Sequence, residues 1–157
     1  MSDLDELIGL APPPQEPPRP LDWSAAPPVP DDYRALAERY GAGSFAGMGL
    51  LVPGHPLRGA DLLRQIVPQR DAMRTIETPY PPDELLPWGI DENGNVAWWL
   101  MRDDWPVVAN EARGDEWLRH DGGVVSFLAG VLGGRIDPEF LAMRGDVPFE
   151  PFPYELG

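Results

Sequence analysis

The chain has no cysteine, no lysine and only two histidines in 157 residues. The first absence excludes disulfides, thiolate metal sites and thiol nucleophiles. All twelve basic residues are consequently Arg, a bias that fits a GC-rich genome better than any special use of guanidinium. The N-terminus is acidic where a secretory signal would be basic and then apolar. No apolar run approaches the roughly 18 residues that a membrane helix needs. These absences read as a soluble, cytoplasmic protein with no membrane partner. Positive charge is also scarce, with 26 acids and a net charge of -14. A phosphate backbone demands a basic surface, so the balance argues against nucleic acid as a direct partner and favours a basic protein.

What is present argues for a folded domain. Hydrophobic residues make up 43% of the chain and six are Trp, too much apolar surface for a disordered segment. Residues 77–121 hold eleven acids against three Arg, net -8, while 31–76 and 122–136 are each +1. Residues 1–30 and 137–157 are each -4. Within the folded part, the negative charge is thus gathered in the region that reads as strands.

The clearest local signal is 86–100, LPWGIDENGNVAWWL, in which two apolar runs flank Asn93-Gly94. That dipeptide suits positive φ at both central positions of a type I′ turn, so 85–90 and 96–101 read as a β-hairpin. Residues 45–52 read as a first strand or strand pair, and 106–111 and 116–119 as strands around a turn at 112–115. Leu4, Leu7 and Ile8 fit a short helix begun by Ser2 or Asp3. Residues 11–30 contain nine Pro and read as a semi-rigid connector, with Trp23 as its anchor to the core. A helix over 31–40 has Asp31 as cap, Tyr33, Leu36, Ala37 and Tyr40 as its apolar stripe, and Gly41 as a left-handed stop. A second helix over 60–76 should kink or break at Pro68. A third carries Val124, Phe127, Leu128, Val131 and Leu132 and ends at Gly133-Gly134. The tail from Gly145, with Phe149, Phe152 and Tyr154, reads as loosely packed or frayed. The expected fold is α+β: a mainly antiparallel sheet from 45–119 packed with helices. The parts are a Pro-rich extension (1–29), one domain (30–134) and an acidic tail (135–157).

Several motifs mimic chemistry and fail on their physics. Gly41-Ala-Gly-Ser-Phe-Ala46 matches the letters of a dinucleotide loop, yet it follows a helix and enters a strand, the reverse of what binds a pyrophosphate. Asp91-x-Asn93-x-Asn95 opens like a calcium loop, but the sixth position is Val96 and the twelfth Arg102. His120 with Ser126 is a conceivable base and nucleophile, although no G-x-S-x-G elbow or oxyanion motif accompanies them. His55 lies in a Pro/Gly loop. The carboxylates Asp91/Glu92, Asp103/Asp104 and Glu111/Asp115/Glu116 sit in turns, where solvation keeps them ionised and unsuited to glycoside hydrolysis. No metal or other cofactor is expected. Trp98 and Trp99 straddle the pleat, so one faces the core, and the other is covered by a helix or exposed as an interface anchor.

Three stretches together resemble the SUKH superfamily (the Smi/Knr-type domain): "P-x-D-Y-x-x-L-x-x-x-Y-G-x-G-x-F" from Pro30, the "PWG…NG…W-L" run, and "W-P-V-V-x-N-E-A-R-G-x-E-W" followed by "GG-x-x-x-F-L-x-x-x-L-x-G". They cover residues 30–134 and include Tyr40, Gly41, Trp88, Gly89, Asn93, Gly94 and Trp99 as motif positions. The resemblance implies a non-catalytic protein-binding domain, foremost an immunity protein that occludes a cognate toxin, a basic nuclease being the best electrostatic match. A SUKH-type adaptor or regulator with a non-toxin partner is the alternative, and an enzyme a distant third. The partner-binding surface expected from charge is one acidic edge of Asp103, Asp104, Glu111, Asp115 and Glu116 with Trp105.

Overall fold

A computed structural model describes residues 2–144 and 147–153. Among these, the chain forms an α+β fold of four α-helices and one seven-stranded antiparallel sheet. The strands are β1 (Gly43–Phe45), β2 (Met48–Leu50), β3 (Leu85–Asp91), β4 (Val96–Leu100), β5 (Val107–Asn110), β6 (Trp117–His120) and β7 (Phe149–Pro151). Their order across the sheet is β6-β5-β4-β3-β2-β1-β7, a meander closed on its far side by the last strand.

Side-chain alternation sends the strands' apolar residues to two faces. Phe45, Met48, Leu50, Leu86, Trp88, Ala97, Trp99, Val107, Ala109 and Leu118 enter the larger core. Leu85, Val96, Trp98, Leu100 and Val108 enter a smaller one beneath Met73 and Tyr80. Trp98 and Trp99 are both fully buried, so the outward Trp is covered rather than exposed. The larger core is roofed by α1 (Asp3–Leu10), α2 (Asp31–Tyr40) and α4 (Val124–Leu132), and α3 (Leu62–Met73) packs along β3.

Local chemistry explains the helix limits. Ser2 and Asp5 form a reciprocal capping box at the start of α1, two orphan amide groups being satisfied at once. Asp31 does not cap α2. Pro30 holds the cap position with no side-chain bond, and Asp31 is the first helical residue. The stop at Gly41 has the expected positive φ of 73°, with ψ of -166° outside the left-handed helical well. Pro68 does not break α3, which runs unbroken with Asp61 as its cap. Pro68 and Arg64 are both exposed, so the gap in the hydrogen-bond ladder lies on the solvent side of the helix. Ile76 lies beyond the helix and is 48% exposed.

The central hairpin forms with a different turn. Gly94 has φ of 82°, whereas Asn93 does not enter positive φ. The Gly94 amide donates to the Asp91 carbonyl (3.1 Å) and the Asp91 amide to the Asn95 carbonyl (3.0 Å), a three-residue loop with Gly at its last position. Asp91 imposes it, because its Oδ1 accepts from the amides of Asn93 and Asn95 (2.9 Å each). Gly89 admits β2, since a Cβ there would lie 2.9 Å from Met48 Sδ and 3.2 Å from the Gly49 carbonyl.

The flanking segments share the core of 30–134. Leu7 and Ala11 are fully buried, and Trp23 packs edge-on against Tyr33 (5.9 Å). Over its described residues the tail does not fray. Leu141 and Met143 are buried, and β7 pairs with β1 through Gly43↔Pro151 and Phe45↔Phe149. Aromatic contact drives that pairing, with the Phe149 ring 4.8 Å from Phe45 and 4.9 Å from Tyr40. Tyr154 lies outside the described residues.

Candidate functional site

In an antiparallel meander, consecutive turns fall at alternate ends of the sheet. The β3–β4 and β5–β6 turns therefore share one end, and the β4–β5 turn lies at the other. Glu111, Asp115 and Glu116 sit at the first end, Asp103, Asp104 and Trp105 at the second. The four residues of β5 separate them by about 13 Å at the usual rise per residue. The single acidic edge expected from sequence is not assembled. Nearness in the chain meant opposite ends in space.

The first end is a polar knot. The buried Asp91 carboxylate accepts not only its two turn amides but also Asn95 Nδ2 and the Ala142 amide (2.8 Å each). Asn95 in turn accepts from the Ala112 amide (2.7 Å) and donates to the Phe140 carbonyl (3.2 Å). Two turns and the C-terminal segment are thereby tied together, with all four acceptor sites of Asp91 and both side-chain protons of Asn95 engaged. Arg144 and Arg113 line the adjoining hollows beside Glu92, Glu139 and Glu111.

The second end is built differently. Asp103, Asp104 and Trp105 have φ of 50°, 65° and 56°, three successive non-glycine residues in the left-handed region. That conformation costs roughly 1–2 kcal/mol per residue and persists only where surroundings hold it. The Trp105 amide donates to the Arg102 carbonyl (3.0 Å), and its half-buried ring lies 6.1 Å from that of Trp99. Trp99 meets Tyr33 edge-on at 4.8 Å, Tyr33 meets Trp23, and the Arg34 guanidinium stands 4.9 Å over Trp23. An aromatic row thus links the β4–β5 turn to the Pro-rich segment. Asp103 and Asp104 are exposed and form no ion pair among the described residues.

The remaining motif residues are structural supports. Trp88 lies where the register of β3 against β4 shifts, its ring 6.2 Å from Phe127. The indole N–H groups of Trp88 and Trp99 are buried without a hydrogen-bond partner among the described residues. Trp98 instead donates to Asn110 Oδ1 (2.7 Å). Tyr40 donates its buried hydroxyl to the Ala11 carbonyl (2.6 Å), and burial pushes this phenol up to about 12. Burial raises Tyr33, whose hydroxyl donates to the Leu51 carbonyl, further still.

His120 and Ser126 do meet, with Nε2 and Oγ 2.7 Å apart. Ser126 Oγ also lies 3.0 Å from the Gly123 carbonyl, a bond that commits its proton to the helix start. Asp32 reaches from α2 to accept from the Val125 amide (3.3 Å), placing a carboxylate at the N-terminus of α4, where an oxyanion would be repelled. The arrangement clamps β6, α2 and α4 together. His55 is buried, with Nδ1 accepting from the Leu57 amide (3.0 Å). No cluster of three or more metal-ligating side chains occurs among the described residues. No helix among them is long and apolar enough to cross a membrane.

Asp32, Asp61, Asp91 and Asn110 carry structural roles that sequence reading missed. A cap signal before Leu62 could have found Asp61. Nothing local marks Asp32, whose partner is 93 residues away. No protein-family model, curated protein or solved structure matches the chain.

Proposed function

We propose that this chain is a non-catalytic immunity protein, acting in the cytoplasm, that neutralises a cognate protein toxin by covering its working surface. The SUKH-like order of motifs supports the class. The observation that carries the mechanism is the surplus of exposed, cation-free carboxylates on a turn held against the core by Trp105. Rigid charge on a preformed surface steers an oppositely charged partner and loses little entropy on docking. A nuclease toxin is the best electrostatic match, since a surface made for a polyanion is basic.

The test is co-expression with the product of the adjacent reading frame. Growth should be rescued from that product's toxicity, and the two chains should co-purify. Rescue without co-purification would contradict occlusion. A non-toxic partner recovered in its place would favour the adaptor reading.

A further inference from the structure

We propose that the notch between the Pro28–Asp31 segment and the Asp104–Trp105 turn receives an arginine side chain of the protein partner. This deepens the immunity reading and rests on it. The notch has a volume of about 330 Å³ and is lined by Pro28, Val29, Pro30, Asp31, Asp104 and Trp105.

Three features select a cation on an apolar stem. The prolines and Val29 offer an apolar wall for methylenes, which long basic side chains bury while keeping their charged head wet. Trp105 offers an indole, the best ring for cation–π attraction, and a planar guanidinium stacks where an ammonium cannot. Asp31 and Asp104 bring two negative charges to one hollow, and neither is paired with a cation among the described residues. The same chemistry is already satisfied internally next door, where Arg34 stands over Trp23 and bonds Glu38 (3.0 Å). By contrast, the hollows at the opposite end hold Arg144 or Arg113 among their own walls. The one beside Glu92 and Glu150 has no tryptophan. An anion would be repelled from the notch, and an uncharged apolar residue would leave both carboxylates without a counter-charge. The Pro-rich segment thereby gains a role beyond tethering, since it builds half of the site.

The probe is the peptide acetyl-Gly-Arg-Gly-amide, with citrulline replacing arginine as the uncharged control. Binding to the full chain is followed by NMR at the Trp105 indole N–H, assigned by its loss in W105F. The arginine peptide should shift that resonance saturably at millimolar concentration and the citrulline peptide should not. D31N/D104N, with both changes at exposed positions, should keep its fold by circular dichroism and bind at least about tenfold more weakly. No shift at Trp105, an equal response to citrulline, or unchanged affinity in D31N/D104N would overturn the proposal. The two readings separate cleanly. Protection from the toxin with a silent notch removes the notch alone, whereas arginine binding without protection removes the immunity reading alone.

Discussion

A buried carboxylate that accepts four N–H groups is hard to replace, and Asp91 is the residue on which the first end of the sheet depends. Removing its oxygens strands donors from Asn93, Asn95 and Ala142, and those of the buried Asn95 cost about 1–3 kcal/mol each when left unsatisfied. Asp91→Ala should therefore lower stability by at least about 2 kcal/mol, seen as a lower urea midpoint at unchanged slope. Gly94 matters for a different reason. Its φ of 82° is closed to β-branched side chains, so Gly94→Val should destabilise by about 1 kcal/mol or more in the same experiment. The Gly was legible in the sequence and the Asn was not. Asn93 and Gly94 together advertise a two-residue turn, but the acceptor at Asp91 drew the amides into a three-residue loop. Side-chain acceptors that reorganise a turn leave no periodic trace.

At the scale of elements, the strands of the meander and the four helices follow hydrophobic periodicity, and so could be read locally. The exceptions are elements defined by distant partners. β7 is three residues with a proline, and it is a strand because β1 offers an unpaired edge and because Phe149 finds Tyr40 and Phe45. Phe149→Ala should lower stability by about 2–3 kcal/mol and remove amide-exchange protection from β1 first, since that edge loses its cover. Pro68 is the converse case, a residue whose local rule was overridden. Tertiary packing holds α3 across it, and its missing bond faces water. Pro68→Ala should restore that bond and stabilise the chain by about 1 kcal/mol, leaving any partner affinity unchanged. The acidic edge failed for the same reason that β7 was missed. Both depend on where the meander sends its ends, which composition and spacing do not record.

For the whole molecule, pH links these local facts to stability. His55 and His120 are both held below the ordinary histidine range, foremost by burial, in the second case against Phe127. Their folded forms resist the proton that the unfolded chain accepts. As pH falls through about 6.5, the unfolded state binds more protons than the folded one, so stability must fall with it. The opposing effect is relief of self-repulsion in a chain of net charge -14. That relief needs carboxylates to protonate, which exposed acids do near pH 4, well below the histidine window. The histidines therefore dominate between pH 7 and 5.5. Thermal unfolding across that interval should show a falling midpoint. The fall should shrink in His120→Gln, which keeps a donor near Ser126 Oγ but does not titrate. A midpoint that rises between pH 7 and 5.5 would show that surface repulsion, and not the two histidines, governs this acidic fold.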